Sequence, residues 1–248
     1  MAGHSKFKNI MHRKGAQDKK RSKIFSRLGR EISVAVKTGG SDLNSNIRLK
    51  SAIREAKSLN MPKDNIERSI KKGEGNDPNS NYEEVRYEGY GPSNVAIIID
   101  AMTNNKNRTA SEVRSIFSKY GGSLGETGSV SYNFKRLGTI TIKKEIAEDK
   151  IFEFAIENES VDFEVTEDEY IIYCATKDLH LLSEKIINKF NISTVNKLIW
   201  KSDVSVHVTN NNAEKLFKLF NLLEENEDIQ NISSNFDVSE ETINKYVT

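Results

Sequence analysis

Apolar residues recur every three to four positions in the first third of the chain, and beyond it such stretches interleave with others that alternate or run unbroken. From Lys20, the stripe Ile24, Phe25, Leu28, Ile32, Ala35 and Val36 predicts a helix, with Lys20, Lys23, Arg27, Arg30 and Lys37 on its opposite side. Gly39-Gly40 ends it. Asn44-Ser45-Asn46 supplies capping chemistry for a second helix, with Leu49, Ala52, Ile53, Ala56 and Leu59 inward and Arg48, Lys50, Arg54 and Lys57 outward. Asn60-Met61-Pro62 breaks that helix and opens a third, anchored by Ile66 and Ile70 and closed by Gly73. Turn formers crowd residues 73–80, the clearest linker in the chain.

Beyond the linker the period changes. Residues 85–90 alternate, Gly91-Pro92 turns, and the β-branched run from Val95 to Met102 predicts a buried strand. A helix is expected from Thr109 to Tyr120, stopped by Gly121-Gly122, then a strand from Val130 to Phe134. Gly138 to Ile142 opens another unit, followed by a helix at 146–158, strands at 161–166 and 169–175, a helix at 178–190 and a strand from Val195 to Trp200. That order is the β-α-β-β-α-β unit of ferredoxin-like folds. A strand at Val204–Val208, a helix at Asn212–Glu225 and a strand at Ile229–Phe236 complete a second such unit if joined to the strand–helix–strand at 95–134. The expected class is therefore α+β: an N-terminal three-helix domain followed by two ferredoxin-like α/β domains, one inserted in the other. The expected boundaries are a basic arm at 1–21, a helical domain at 22–75, a discontinuous α/β domain at 76–136 and 202–248, and an inserted α/β domain at 137–201.

Charge sharpens this picture. Of the 248 residues, 37 are Lys or Arg and 36 are Asp or Glu, a net of only +1. Up to Gly75 there are 19 basic and 7 acidic residues, net +12, so the remainder carries 18 and 29, net −11. Ten of the basic residues fall between Met1 and Arg30, where Asp18 is the one acid. A basic arm on an acidic body points to a polyanionic partner, bound through neutralised phosphates and released counterions. The bland alternative is a solvated lysine-rich surface. One cysteine, Cys174, excludes an intrachain disulfide, and its apolar neighbours make it a small core residue. No apolar run approaches the roughly 18 residues of a membrane span, so no membrane partner is expected and the cytoplasm is the default compartment.

The stretch Ala2-Gly3-His4-Ser5-Lys6-Phe7-Lys8-Asn9-Ile10, with His12-Arg13-Lys14, Gln17-Asp18-Lys19-Lys20-Arg21 and Lys23-Ile24-Phe25, resembles the N-terminal signature of the YebC/PmpR family. Asn60-Met61-Pro62-Lys63-Asp64-Asn65-Ile66, Tyr87-Glu88-Gly89-Tyr90-Gly91-Pro92, Asn107-Arg108-Thr109 and Glu112-Val113-Arg114 continue the resemblance, as do Phe117-Ser118-Lys119, Gly121-Gly122 and Gly128-Ser129-Val130. It runs the length of the chain and is densest over residues 2–134. The signature starts at Ala2, which argues against a cleaved presequence. The sequence departs from the family pattern at Phe7, where tryptophan is common, at Asn44 and Ile47, which replace prolines, and at Asn104 and Lys106, which replace an aspartate and an arginine. The resemblance implies a regulator of gene expression. Members are described as transcriptional regulators, with organellar relatives that activate translation and bacterial ones linked to the translating ribosome.

The strongest candidate for nucleic-acid binding is the arm with the first helix: His4, Lys6, Phe7, Lys8, His12, Arg13, Lys14, Lys19, Lys20, Arg21, Lys23, Arg27 and Arg30. Lys and Arg suit phosphates, and Phe7 or His4 can stack on a base, though Phe7 can equally pack on the body. Lys106 and Arg108, at a strand's end, suit either a helix cap or a nucleic-acid contact. The glycines between 121 and 128 lack the Gly-Lys-Ser/Thr ending of a phosphate loop and read as a tight return or a contact loop. His4 and His12 have no acidic or cysteine partner at ligand spacing, so neither metal nor cofactor is expected. No nucleophile–base set stands out, and nothing asks for catalysis. The expected function is a non-enzymatic DNA-binding transcriptional regulator. The alternatives are a translation factor on ribosomal RNA, tRNA or the ribosome, toward which the absence of helix-turn-helix spacing leans, and a protein–protein adaptor.

Overall fold

The computed structural model describes residues 17–75 and 81–246. Helices α1 (Gln17–Gly39), α2 (Ile47–Ser58) and α3 (Lys63–Glu74) form the N-terminal unit. Their stripes meet in one core of Leu28, Ile32, Ala35, Val36, Leu49, Ala52, Ile53, Ala56, Met61 and Ile66. Buried Asn46 staples the first two helices together. Its side-chain oxygen accepts from the N–H of Leu49 at 3.0 Å, and its amide donates to the carbonyls of Ala35 and Gly40 at 2.7 Å each. Gly73 does not close α3 as expected but lies within it. The reason is packing: a Cβ there would stand 2.5 Å from the Ser33 carbonyl and 2.7 Å from Val36 Cβ. Small residues thus let α1 and α3 cross closely, and Ser33 Oγ lies 2.8 Å from the Ser69 carbonyl at that crossing.

The chain then forms β1 (Glu83–Tyr90), β2 (Ala96–Thr103), α4 (Lys106–Lys119) and the two-residue β3 (Ser123–Leu124). Helix α4 begins three residues before the expected Thr109 because Asn105 caps it, accepting from the N–H of Arg108 at 3.0 Å. The strand expected at Val130–Phe134 is a single 3-10 turn at Ser131–Asn133. Phe134 instead starts β4 (Phe134–Lys143), which runs straight through Gly138 into a second sheet. That sheet continues with α5 (Glu148–Glu157), β5 (Asp162–Val165), β6 (Glu169–Ala175), α6 (Leu179–Phe190) and β7 (Val195–Ser202). Its strand order is β5-β6-β4-β7, all antiparallel, with both helices over one face around Ile140, Ile151, Ile172 and Ile186. This is the ferredoxin-like arrangement.

The chain returns through β8 (Val206–His207), α7 (Asn210–Glu225), β9 (Ile229–Ser234), β10 (Phe236–Asp237) and α8 (Glu240–Tyr246). Strand β9 pairs with β2, completing a first sheet ordered β3-β1-β2-β9. The strand expected at Val204–Val208 never joins it. Only Val206 and His207 pair, in parallel with Phe236 and Asp237, and β1 occupies the sheet position instead. Alternation along β2 feeds two cores. Ile97 and Ile99 face α4 and α7, while Ala96 and Ile98 meet Val130, Phe134 and Trp200 on the other side. The second sheet is thus inserted between β3 and β9 of the first, in an α+β fold headed by three helices. The two sheets are joined at Trp200. The guanidiniums of Arg86 and Arg136, both beside Asp100, lie 4.2 and 5.1 Å from the Trp200 ring centroid, and its backbone N–H donates to Ser233 Oγ at 3.3 Å.

Candidate nucleic-acid interface

Helix α1 carries its cations on two unlike surfaces. Arg21 is exposed, its guanidinium 5.5 Å from the Phe25 ring centroid. Arg27 and Arg30, expected to meet a nucleic acid, turn toward the acidic body. Arg27 donates to the Glu224 carboxylate at 3.1 Å and to its carbonyl at 3.3 Å. Arg30 pairs with the Glu227 carboxylate at 3.2 Å and with Asp228 at 3.1 Å, and also donates to the Glu227 carbonyl. The end of α7 attracts these cations because the last carbonyls of a helix carry partial negative charge. Lys23 sits beside them with its ammonium nitrogen buried and no hydrogen-bond partner among the described residues. Burial, and then the charge of Arg27, push its pKa down to about 8. His4, Lys6, Phe7, Lys8, His12, Arg13 and Lys14 lie outside the described residues. Lys19 and Lys20 fall in the first turn of α1, their side chains likewise outside the description.

Asp228 collects the contacts expected of the loop before α4. Its Oδ2 accepts from Thr109 at 2.6 Å, Arg108 at 2.7 Å and Thr103 at 3.0 Å, while Oδ1 faces Arg30. Burial raises the carboxyl's pKa, but the hydroxyls of Thr109 and Thr103 and the two guanidiniums outweigh it and hold the group below its ordinary value. Arg108 therefore serves as a structural clamp in this arrangement, and Lys106 pairs with Glu83. The Asn107-Arg108-Thr109 motif reads here as the means of tying α4 to the start of β9.

The turn that follows the glycine-rich return presents backbone donors to an anion, and that anion is Glu88. Its Oε2 accepts from the N–H of Ser131 at 2.9 Å and of Val130 at 3.0 Å, on a side chain that is 1% exposed. Gly121 and Gly128 adopt φ of +79° and +96°, the left-handed region a tight return requires. Next to this loop Tyr132 is exposed, its hydroxyl 3.2 Å from that of Tyr90.

A cleft of about 450 Å³ opens between α1, α3 and the residues before β1. Ser22, Phe25, Ser26, Gly29 and Arg30 line one side, Asn65, Arg68, Ser69 and Lys72 the other, with Met61, Ser33, Tyr82 and Glu227 completing it. Lys72 donates to the Tyr82 hydroxyl at 3.1 Å and stands 4.9 Å from its ring centroid, while Arg30 covers the ring at 5.3 Å. Arg68 is exposed and has no ionic partner among the described residues. Arg68, Lys72 and Tyr82 are absent from the sequence-based candidates. The signal was there: Asn65, Arg68, Ser69 and Lys72 recur at i, i+3, i+4 and i+7, a polar stripe on one face of α3. Among the described residues, no helix is long and apolar enough to cross a membrane, and no group of three His, Cys, Asp or Glu could hold a metal.

Known proteins share this architecture. Residues 5–76 match the N-terminal domain of TACO1/YebC proteins, and residues 82–236 match their second and third domains. The crystal structure of a conserved hypothetical protein from Aquifex aeolicus superposes with a TM-score of 0.82 at 42% identity, over 89% of this chain and 91% of that one. With three helices followed by two interleaved sheets, and matched over both segments, the chain belongs to the TACO1/YebC family.

Proposed function

We propose that this chain is a non-enzymatic regulator of gene expression that acts by binding nucleic acid in the cytoplasm. The observation that carries the reading is the charge polarity, +12 up to Gly75 and −11 beyond, together with its outlet in the structure. The inner cations of α1 are neutralised by the body, while Arg21, Arg68 and Lys72 remain exposed on the helical unit that follows the basic arm. Phosphate contacts of this kind position a strand without reading its sequence.

Two targets fit that reading. The family matched over residues 82–236 is named for transcriptional regulation, which supports duplex DNA. The geometry favours RNA of the translation machinery, with the ribosome as partner. Major-groove readers present a protruding helix, whereas the middle of α1 is covered by Glu224, Glu227 and Asp228 and the exposed cations border a concave cleft.

The test is sedimentation of tagged protein through lysate gradients with and without RNase, beside salt-titrated binding to duplex DNA. A second sample has Lys19, Lys20 and Arg21 changed to Glu. Lys23 is left alone because its ammonium is buried against the body. RNase-sensitive co-migration with ribosomes, lost on charge reversal, is the expected result. Salt-resistant preference for particular duplexes with no ribosome association selects transcription instead. Failure to bind either polyanion removes the proposal.

A further inference from the structure

We propose that the cleft between α1, α3 and Tyr82 seats one unpaired nucleotide of the bound RNA, with its phosphate on Arg68 and Lys72. The inference rests on the nucleic-acid reading above and adds to it a site and a ligand form.

Four features of the cleft argue for it. Its volume of about 450 Å³ lies within the roughly 300–1,000 Å³ of small-ligand pockets, room for one nucleotide and too little for a duplex. Its charge suits an anion: Arg30, Arg68 and Lys72 face one carboxylate, Glu227, which Arg30 already neutralises. The cationic wall is also pre-organised. Tyr82 holds the Lys72 ammonium through both its ring and its hydroxyl, so the cation is positioned before a phosphate arrives.

The floor supplies the complementary chemistry. Ser69 Oγ donates to the Asn65 carbonyl at 2.8 Å. Its proton is committed to the backbone, which leaves the oxygen lone pairs of this half-buried side chain to accept from a ribose 2′-hydroxyl or a base amino group. Phe25 offers an apolar edge for the base. Donors on one wall, an acceptor on the floor and an apolar side match the three parts of a nucleotide.

The test uses the full chain and two surface variants. Ser26→Trp fills the cleft without changing charge, and Arg68→Ala removes a phosphate donor; both side chains are exposed, so the fold should survive, as thermal melting would check. Fluorescence anisotropy is measured on an unstructured RNA of about 12 nucleotides and on its duplex form. Ser26→Trp should weaken single-strand binding about tenfold while duplex affinity stays within about twofold, and Arg68→Ala should weaken single-strand binding about tenfold with a smaller loss on the duplex. Adenosine 5′-monophosphate should compete with the single strand on the wild type and not on Ser26→Trp. Wild-type affinity for the single strand in both variants, or equal losses on both RNA forms, overturns the cleft assignment and leaves the regulator reading standing. No RNA binding by the wild-type chain overturns both.

Discussion

Arg30 Nη1 and Asp228 Oδ1 lie 3.1 Å apart, so the helical unit is fastened to the same carboxylate that ties down the start of α4. One buried acid therefore answers to two guanidiniums and two hydroxyls drawn from two distant parts of the chain. The position of α1 is coupled by this contact to that of the acidic body.

Asp228→Asn should destabilise the protein by about 2–4 kcal/mol at neutral pH, because Arg30 and Arg108 lose their shared counter-charge. The folded pKa of Asp228 is depressed, so its contribution is present above the ordinary carboxylate value and disappears as pH falls through the folded one. Urea unfolding of both proteins should show a gap at pH 7 that closes in acid. A gap that persists at low pH would mean that charge is not what holds the site.

Lys23→Met should raise the melting temperature by about 2 °C at pH 7. The side chain is half-buried, its ammonium nitrogen covered and without a hydrogen bond among the described residues, and its pKa of about 8 lies below the ordinary lysine value. Folding therefore disfavours the charged form at neutral pH, and the penalty fades as pH rises through 8 toward the ordinary lysine pKa. Solvent screening keeps the effect below about 1 kcal/mol. Differential scanning calorimetry at pH 7 and pH 10 should show the variant's advantage shrinking at the higher pH.

Trp200→Ala should cost about 2–3 kcal/mol by removing the ring that joins the two sheets and with it the cation–π contacts of Arg86 and Arg136. Trp200 is the chain's one tryptophan, so wild-type fluorescence reports on this joint directly. In a urea titration followed by fluorescence and by circular dichroism, separation of the sheets before global unfolding would appear as an earlier fluorescence transition.

Gly73→Ala pits two local effects against each other. Alanine gains up to about 1 kcal/mol of helix propensity over glycine. Its Cβ would, however, meet the Ser33 carbonyl at 2.5 Å and Val36 Cβ at 2.7 Å, neither of which can swing away. Overpacking should win, for a net loss of about 1–2 kcal/mol. Gly75→Ala is the control, since its Cβ would make an ordinary 3.5 Å contact with the Lys71 carbonyl.

Periodicity carried most of the fold. The stripes from Ile24 to Val36 and from Leu49 to Ala56 became one core, and the inserted β-α-β-β-α-β order appeared strand for strand. It misled where local pattern and partner choice diverge. Val204–Val208 alternates like a strand, yet β2 already had neighbours on both sides, and only two of those residues paired. Gly73 looked like a helix stop because its reason for being glycine lies on another helix. The site was harder still. Arg27 and Arg30 lie on the polar face of α1, as expected, but composition cannot tell a face turned to phosphates from one turned to Glu224 and Glu227. Tyr82 gained its place in the cleft from the docking of the two units, which no stretch of sequence encodes by itself.

The insertion of residues 134–202 into the first sheet has a consequence for the order of events during synthesis. Strand β9, which pairs Ser234 with Ile97 and leads in with Asp228, is made long after the helices and β2. The inserted β4–β7 unit has all its strands in hand before then and can fold first, while β1 and β2 wait with one edge open. Until Glu224, Glu227 and Asp228 emerge, Arg27 and Arg30 have no body to dock on. The nascent helices therefore spend that interval with Arg27 and Arg30 uncovered, and the late acidic segment removes these two cations from what a passing polyanion can reach.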